Sequence, residues 1–140
     1  MSTQEMSTQE MSTANKILGV VACGGKSSRM GTDKSMLQYH GLPQRYAAFA
    51  LLETVCDKVV LSVNEQQSST IDPAYLYLID LPFYSQAGPM TALLTAFETF
   101  PGSDVFLLGC DYPLLQEQTV QQFISLCRKE NRLTAFYNQP

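Results

Sequence analysis

From Ile17 to Cys23 the chain reads ILGVVAC, apolar throughout and rich in β-formers, and it stops at Gly24-Gly25. A run with no polar alternation has no solvent face, so it predicts a strand buried on both sides. Such strands belong to parallel sheets covered by helices. The sequence that follows keeps to that plan. A loop containing glycine and serine extends to about Pro43, which fits the first turn of a helix whose apolar stripe is Ala47, Ala48, Leu51, Leu52 and Val55. Lys58–Val63 and Tyr75–Ile79 read as strands, with Asn64–Pro73 a polar connection between them. Pro89 opens a second helix with Met90, Leu93, Leu94 and Phe97 on one side, and Pro101-Gly102 ends it. Asp104–Cys110 is a further strand, a helix carries Val120, Phe123, Ile124 and Cys127 at three- and four-residue spacing, and Leu133–Tyr137 is a last short strand. Strands alternating with helices predict a three-layer α/β/α, Rossmann-like fold with a mostly parallel sheet. Ligands of such folds sit beyond the carboxyl ends of the strands. Glycine loops and carboxylates placed directly after strands are therefore the candidates for chemistry.

The 140 residues suit about one domain, and 45% hydrophobic against 16% charged residues allows a sizeable core. Residues 1–15, MSTQE-MSTQE-MSTAN, repeat a polar pentad with nothing to bury and are expected to be a disordered tail, leaving 16–140 as the domain. Because the chain ends just after a strand, a missing C-terminal part is also expected. A net charge of −4 gives no reason to expect nucleic acid or a membrane surface as partner. Cys23, Cys56, Cys110 and Cys127 lack C-x-x-C or metal-ligand spacing; three lie in apolar runs and read as buried free thiols, which favours a reducing compartment. With no apolar stretch near the roughly 20 residues of a membrane helix and no signal peptide at the start, a soluble, cytoplasmic protein is expected.

The richest segment is Ala22-Cys23-Gly24-Gly25-Lys26-Ser27-Ser28-Arg29-Met30-Gly31-Thr32-Asp33-Lys34. Its glycines expose backbone N–H groups and permit close approach, while Arg29 and Lys34 add a forked and a compact cation. That combination suits a triphosphate. The P-loop pattern G-x-x-x-x-G-K-[ST] fails by one residue in either register: Gly25-Lys26-Ser27 has Gly19 one position too far upstream, and Gly24 restores the spacing but loses the lysine. The dinucleotide pattern G-x-G-x-x-G fails too, because no glycine lies two after Gly24 or Gly25. From glycine content alone, a tight strand-to-loop turn with solvated Arg29 and Lys34 explains the segment equally well.

Gly24-Gly25-x-Ser27-x-Arg29-Met30-Gly31-x-Asp33-Lys34 resembles the signature loop of the molybdenum cofactor guanylyltransferases, members of the nucleotidyltransferase superfamily. Asp80 at a strand end, Gly88-Pro89-Met90 at a helix start and Gly109-Cys110-Asp111-Tyr112-Pro113 after another strand match that family's motifs in order, so the resemblance covers about residues 17–137. It implies a nucleotidyltransferase fold and the transfer of GMP from GTP to molybdopterin, with release of pyrophosphate and with Mg²⁺ as cofactor. It also implies protein partners that deliver or collect the cofactor. By the resemblance, Ala22, Cys23, Gly24 and Gly25 line the nucleotide through backbone groups, Lys34 contacts phosphate and Arg29 neutralises the triphosphate. Ser62 or Asn64 lies near the nucleoside, Asp80 and the Gly88 turn select guanine, and Asp111 binds Mg²⁺. Ala22 and Cys23 depart from the leucine and alanine usual there. Family members also carry a further C-terminal segment, so nucleotide binding without turnover is a rival expectation for this chain. Other rivals are a CTP-dependent cytidylyltransferase and a sugar-phosphate nucleotidyltransferase.

Each carboxylate has a plainer reading beside this one. Asp80 before Leu81-Pro82 and Asp111 before Tyr112-Pro113 are suited to shaping turns. Asp33 reads as positioning the loop, and His40, in a Tyr-His-Gly-Leu-Pro turn, as an exposed residue outside the chemistry.

Overall fold

The computed structural model describes residues 15–24, 33–38, 41–88 and 90–130, together with Ala135, and leaves out the side chains of Lys34, Ser85 and Gln86. The pentad repeat up to residue 14, Gly25, Arg29, His40, Pro89 and the strand expected at Leu133–Tyr137 lie outside the described residues.

Strand β1, Ile17–Ala22, is central, with β2 (Lys58–Val63) on one side and β4 (Asp104–Gly109) on the other; β3 (Tyr77–Ile79) pairs with β2. The order is β3-β2-β1-β4 and every pairing is parallel. Alternate residues of β1 feed two separate cores, as the period of a strand demands. Ile17, Val21 and Cys23 join Leu61, Val63, Phe106 and Leu108 on one face, under helices α1 (Gln44–Glu53) and α4 (Glu117–Glu130). Leu18 and Val20 join Val60 on the other face, under Ala92 and Ala96 of α3 (Met90–Thr99). The architecture is the expected α/β layering. None of the described helices is long and apolar enough to cross a membrane.

Several local readings change. Pro43 stands just before α1 rather than inside it, and its carbonyl accepts the Tyr46 and Ala47 N–H groups. The deep face of α1 is Arg45, Ala48, Phe49 and Leu52, so Ala47, Leu51 and Val55 flank the buried stripe instead of leading it. Close approach to the sheet sets that rotation, since Gly19 of β1 leaves only enough room for Leu52 and Cys56 against its α-carbon. Arg45 is fully buried, donating to the Thr70 carbonyl and hydroxyl and to the Tyr46 hydroxyl.

β3 begins at Tyr77, not Tyr75, because the Tyr75 ring stacks on Tyr46 and meets the edge of Phe49. The stripe expected on α3 is also displaced. Thr91, Ala92, Thr95 and Ala96 face the sheet while Met90 and Phe97 are exposed. Small side chains let that helix lie close to β1 and β4. The connection after β2 contains a short helix, α2 (Glu65–Ser68), and the loop before α1 contains a 3₁₀ turn over Lys34–Met36. All four cysteines are free thiols, but only Cys23 and Cys110 are buried; Cys56 and Cys127 are half-buried, being at the margin of α1 and on the outer part of α4.

Candidate active site

Strand register brings the candidate residues to one edge of the sheet. Ala22 is level with Ser62 of β2 and with Gly109 of β4, and Ser62 is level with Leu78 of β3. The residues just past these points, Cys23-Gly24, Asn64, Asp80 and Cys110-Asp111, therefore emerge together at the carboxyl ends. Chain direction across the sheet reverses between β1 and β4, which is the switch point where open α/β sheets bind ligands.

Asp80 is fixed from three sides. Its N–H donates to the Val63 carbonyl at 2.8 Å, the next N–H, of Leu81, donates to the buried Thr95 hydroxyl at 3.1 Å, and its carboxylate accepts the Ser62 hydroxyl. The carboxylate thus bonds across strand ends rather than shaping the Leu81-Pro82 turn. Burial raises the Asp80 carboxyl above its ordinary value, and the Ser62 hydrogen bond offsets only part of that. A Cβ on Gly24 would come within 2.5 Å of Asp80 Oδ2. Only glycine leaves the space above this carboxylate open.

The backbone groups expected to line a nucleotide already have protein partners. Cys23 and Gly24 both donate to the Ser62 carbonyl, at 2.8 and 3.2 Å. The Cys23 carbonyl accepts from the Gln67 amide, and the Ala22 carbonyl accepts the Cys110 thiol. Cys23 and Cys110 place their sulfurs 3.7 Å apart. The hydrogen bond with Cys110 and burial together push the Cys23 thiol far up, which disfavours the thiolate.

Gln67 is the residue that sequence reasoning missed. Asn64, just beyond β2, accepts the Gln67 N–H, and the Gln67 side-chain oxygen accepts the Asn64 N–H, a reciprocal cap. The signal was present in the spacing Asn64-x-x-Gln67. The buried Gln67 side chain also donates to the Asp33 carboxylate at 2.8 Å. Asp33 in turn accepts from the Ser35 N–H and hydroxyl, starting the 3₁₀ turn. Burial alone would raise the Asp33 carboxyl, but the bonds from Ser35 and Gln67 and the charge of Arg45 outweigh it and hold it below its ordinary value. Asp33 is thus held by Ser35 and Gln67 at the start of the 3₁₀ turn.

Asp111 is exposed after β4, and among the described residues no group of three potential ligands is arranged to hold a metal ion. Gly88, at φ +60°, ends the 3₁₀ turn Pro82–Ala87, and its carbonyl accepts the Thr91 N–H at the start of α3. That turn separates Gly88 from Asp80. Gly25, Arg29 and the Lys34 side chain lie outside the described residues.

Residues 19–140 match the family described as the MobA-like NTP transferase domain. Among curated proteins, the molybdenum cofactor biosynthesis bifunctional protein of Synechocystis sp. is 32% identical over 87% of this chain and 35% of its own length. A probable molybdenum cofactor guanylyltransferase of Synechococcus elongatus is 31% identical over 69% of this chain and 50% of its own. The chain thus spans half or less of these two relatives. In fold it is similar to Rv0371c of Mycobacterium tuberculosis H37Rv, with TM-score 0.63 and 22% identity over 81% of this chain and 61% of that one. It is also similar to CMP:2-keto-3-deoxy-manno-octonic acid synthetase complexed with CTP, with TM-score 0.68 and 14% identity over 84% and 49% of the two chains. A parallel sheet whose switch point lies at the carboxyl end of β1 and a match over residues 19–140 agree, and the chain belongs to the MobA-like NTP transferase family of nucleotidyltransferases.

Proposed function

We propose that this domain binds GTP and serves the transfer of GMP to the terminal phosphate of molybdopterin, with pyrophosphate leaving. The observation that carries the reading is the Asp80 carboxylate, held by Ser62 beside the bare α-carbon of Gly24. A carboxylate offers about four acceptor positions, so one bond to Ser62 leaves capacity for two adjacent donors. Guanine presents such a pair, its ring N–H and its exocyclic amine, whereas cytosine presents one donor, its exocyclic amine, followed by two acceptors. The guanylyltransferase relatives support the same assignment.

An acceptor phosphate is already ionised near neutral pH, so the reaction needs no protein nucleophile. Positioning two anions and neutralising their charge are the main contributions required. Lys34 and Arg29 are assigned the triphosphate, and Gly25 the close backbone approach. Ala22, Cys23 and Gly24 form the floor, with Asn64 and Ser62 holding that floor to β2. Gly88 supplies the bend that returns the chain from Asp80 to α3. Asp111 would hold Mg²⁺, an ion commonly bound through one or two carboxylates together with substrate phosphates and waters, and the ion would supply charge neutralisation at the phosphates.

Calorimetric titration with GTP and with CTP, each with Mg²⁺, tests the reading. GTP should bind in clear preference to CTP, and Asp80→Ala should abolish that preference. Equal affinity for both nucleotides, or a preference that survives Asp80→Ala, would refute the base assignment. Absence of pyrophosphate release with GTP and molybdopterin, in a chain extended to the length of the relatives, would refute the transferase assignment.

A further inference from the structure

We propose that Gln67 is a positioning residue for the nucleotide, its side-chain amide tying the Cys23 carbonyl to the Asp33 carboxylate. The inference rests on the nucleotide reading above. Residues 24–32 lie between two anchor points, the Cys23 carbonyl where the chain leaves β1 and the Asp33 carboxylate where the 3₁₀ turn begins. One nitrogen, Gln67 Nε2, donates to both at 2.8 Å. The amide has two N–H groups, and both are used. The side-chain oxygen accepts the Asn64 N–H at 3.0 Å, which fixes the orientation of the amide, since a flip would set oxygen against a carboxylate and a carbonyl. Through Asn64 the bridge is anchored to the end of β2, next to Ser62 and its bond to Asp80.

Capping does not explain this arrangement. A cap of α2 requires only the side-chain oxygen, and α2 is four residues long. The two donated bonds instead join points 44 and 34 residues away in sequence. Holding Cys23 and Asp33 together in the free protein fixes their relative position before a ligand arrives, so binding does not have to supply that order. Gln67 touches neither phosphate nor base in this account; it acts through the backbone at Cys23 and through Asp33. Among the described residues, the charged and titratable groups around the bridge are Asp33 itself, Arg45 of α1, which acts on Asp33 and Cys23, the Cys23 thiol just past β1 with the Cys110 thiol against it, exposed Glu65 on α2, and Asp80 across Gly24.

Gln67→Glu separates the two roles, because it keeps the capping oxygen but turns the donor into a carboxylate facing Asp33. At pH 8 its affinity for GTP with Mg²⁺ should fall about tenfold relative to the unsubstituted protein. Trypsin cleavage after Lys26 and Arg29, sequence positions between the anchors, should rise by a similar factor without any nucleotide. With each affinity divided by that of the unsubstituted protein at the same pH, the defect should shrink toward about pH 5.5, where facing carboxylates share a proton and a donor returns. Asp33→Asn combined with Gln67→Glu should recover part of both losses at pH 8, since the amide introduced at position 33 can donate to the carboxylate introduced at position 67 while the Cys23 carbonyl still lacks its donor. Unchanged affinity and cleavage in Gln67→Glu, or losses that neither low pH nor the double substitution relieves, would overturn the proposal. Should Gln67→Glu not fold, Asp33→Asn alone opposes two donors at the same contact, and behaviour like the unsubstituted protein would overturn it equally. If the unsubstituted protein binds no GTP, the nucleotide reading fails and Gln67's role in binding with it; changed cleavage would still report the Cys23–Gln67–Asp33 bridge.

Discussion

Gly24 and Asp80 compete for one space: a methyl group on Gly24 would lie 2.5 Å from Asp80 Oδ2 and 3.5 Å from the Asn64 nitrogen. Gly24→Ala should therefore displace the carboxylate or the strand end that carries Gly24. The expected cost is about 1–3 kcal/mol of stability, as for other forced insertions into packed sites. GTP affinity should fall as well. Denaturant unfolding and calorimetry on the same preparation would check both, and a fully stable variant with normal affinity would show that the space is not shared.

Asp80→Asn should raise stability and lower function together. The folded state favours the protonated form of this carboxyl, because burial raises it above its ordinary value of 3.8. The penalty is absent at pH well below that value, where folded and unfolded chains are both protonated. It grows as pH rises through the carboxylate range and is complete above the raised folded value. Asparagine removes the charge but keeps an oxygen for the Ser62 hydroxyl. The variant should melt higher than the unsubstituted protein at pH 7 and alike at pH 3, while its preference for GTP over CTP drops by about tenfold or more.

Asp111 presents the opposite case. It is exposed, so Asp111→Asn should alter stability by no more than about 0.5 kcal/mol. If it holds Mg²⁺ against the phosphates, the gain in GTP affinity on adding Mg²⁺ should disappear in the variant. EDTA should bring the unsubstituted protein to the same affinity. A Mg²⁺ response that survives the substitution would remove Asp111 from that role.

Gly19 tests the packing of α1 on the sheet, away from the strand ends. A methyl group there would meet Cys56 Sγ at 3.0 Å and Leu52 Cδ1 at 3.2 Å. Gly19→Ala should destabilise the fold by about 1–3 kcal/mol, and Cys56→Ala in the same chain should return part of it by relieving the shorter contact. Additive losses in the double variant would locate the strain elsewhere.

How much was legible in the sequence depends on the range of the interaction. Ile17–Cys23 is followed by glycine and is apolar on both faces, so it could satisfy its side chains only in the middle of a covered sheet. Residues 25–32 lie outside the described residues, whereas the positions of Asp80 and Asp111 just past strands were legible for the same reason, because strand ends are local signals. The faces of α1 and α3 were not. Hydrophobicity put Met90 and Phe97 inward, whereas close packing on β1 and β4 selected Thr91, Ala92, Thr95 and Ala96, whose size and not polarity suited the space.

The sequence by itself determined a parallel α/β sheet with a glycine loop at its first turn, because burial pattern and backbone freedom are written residue by residue. Only the tertiary structure decided that Ser62 would hold Asp80, that Gly24 would make room for it, and that Gln67 would join Cys23 to Asp33. Those contacts follow from the register of neighbouring strands. Each bond forms between groups far apart in the chain, and no local preference can specify which partners a shared sheet edge will bring within hydrogen-bond reach.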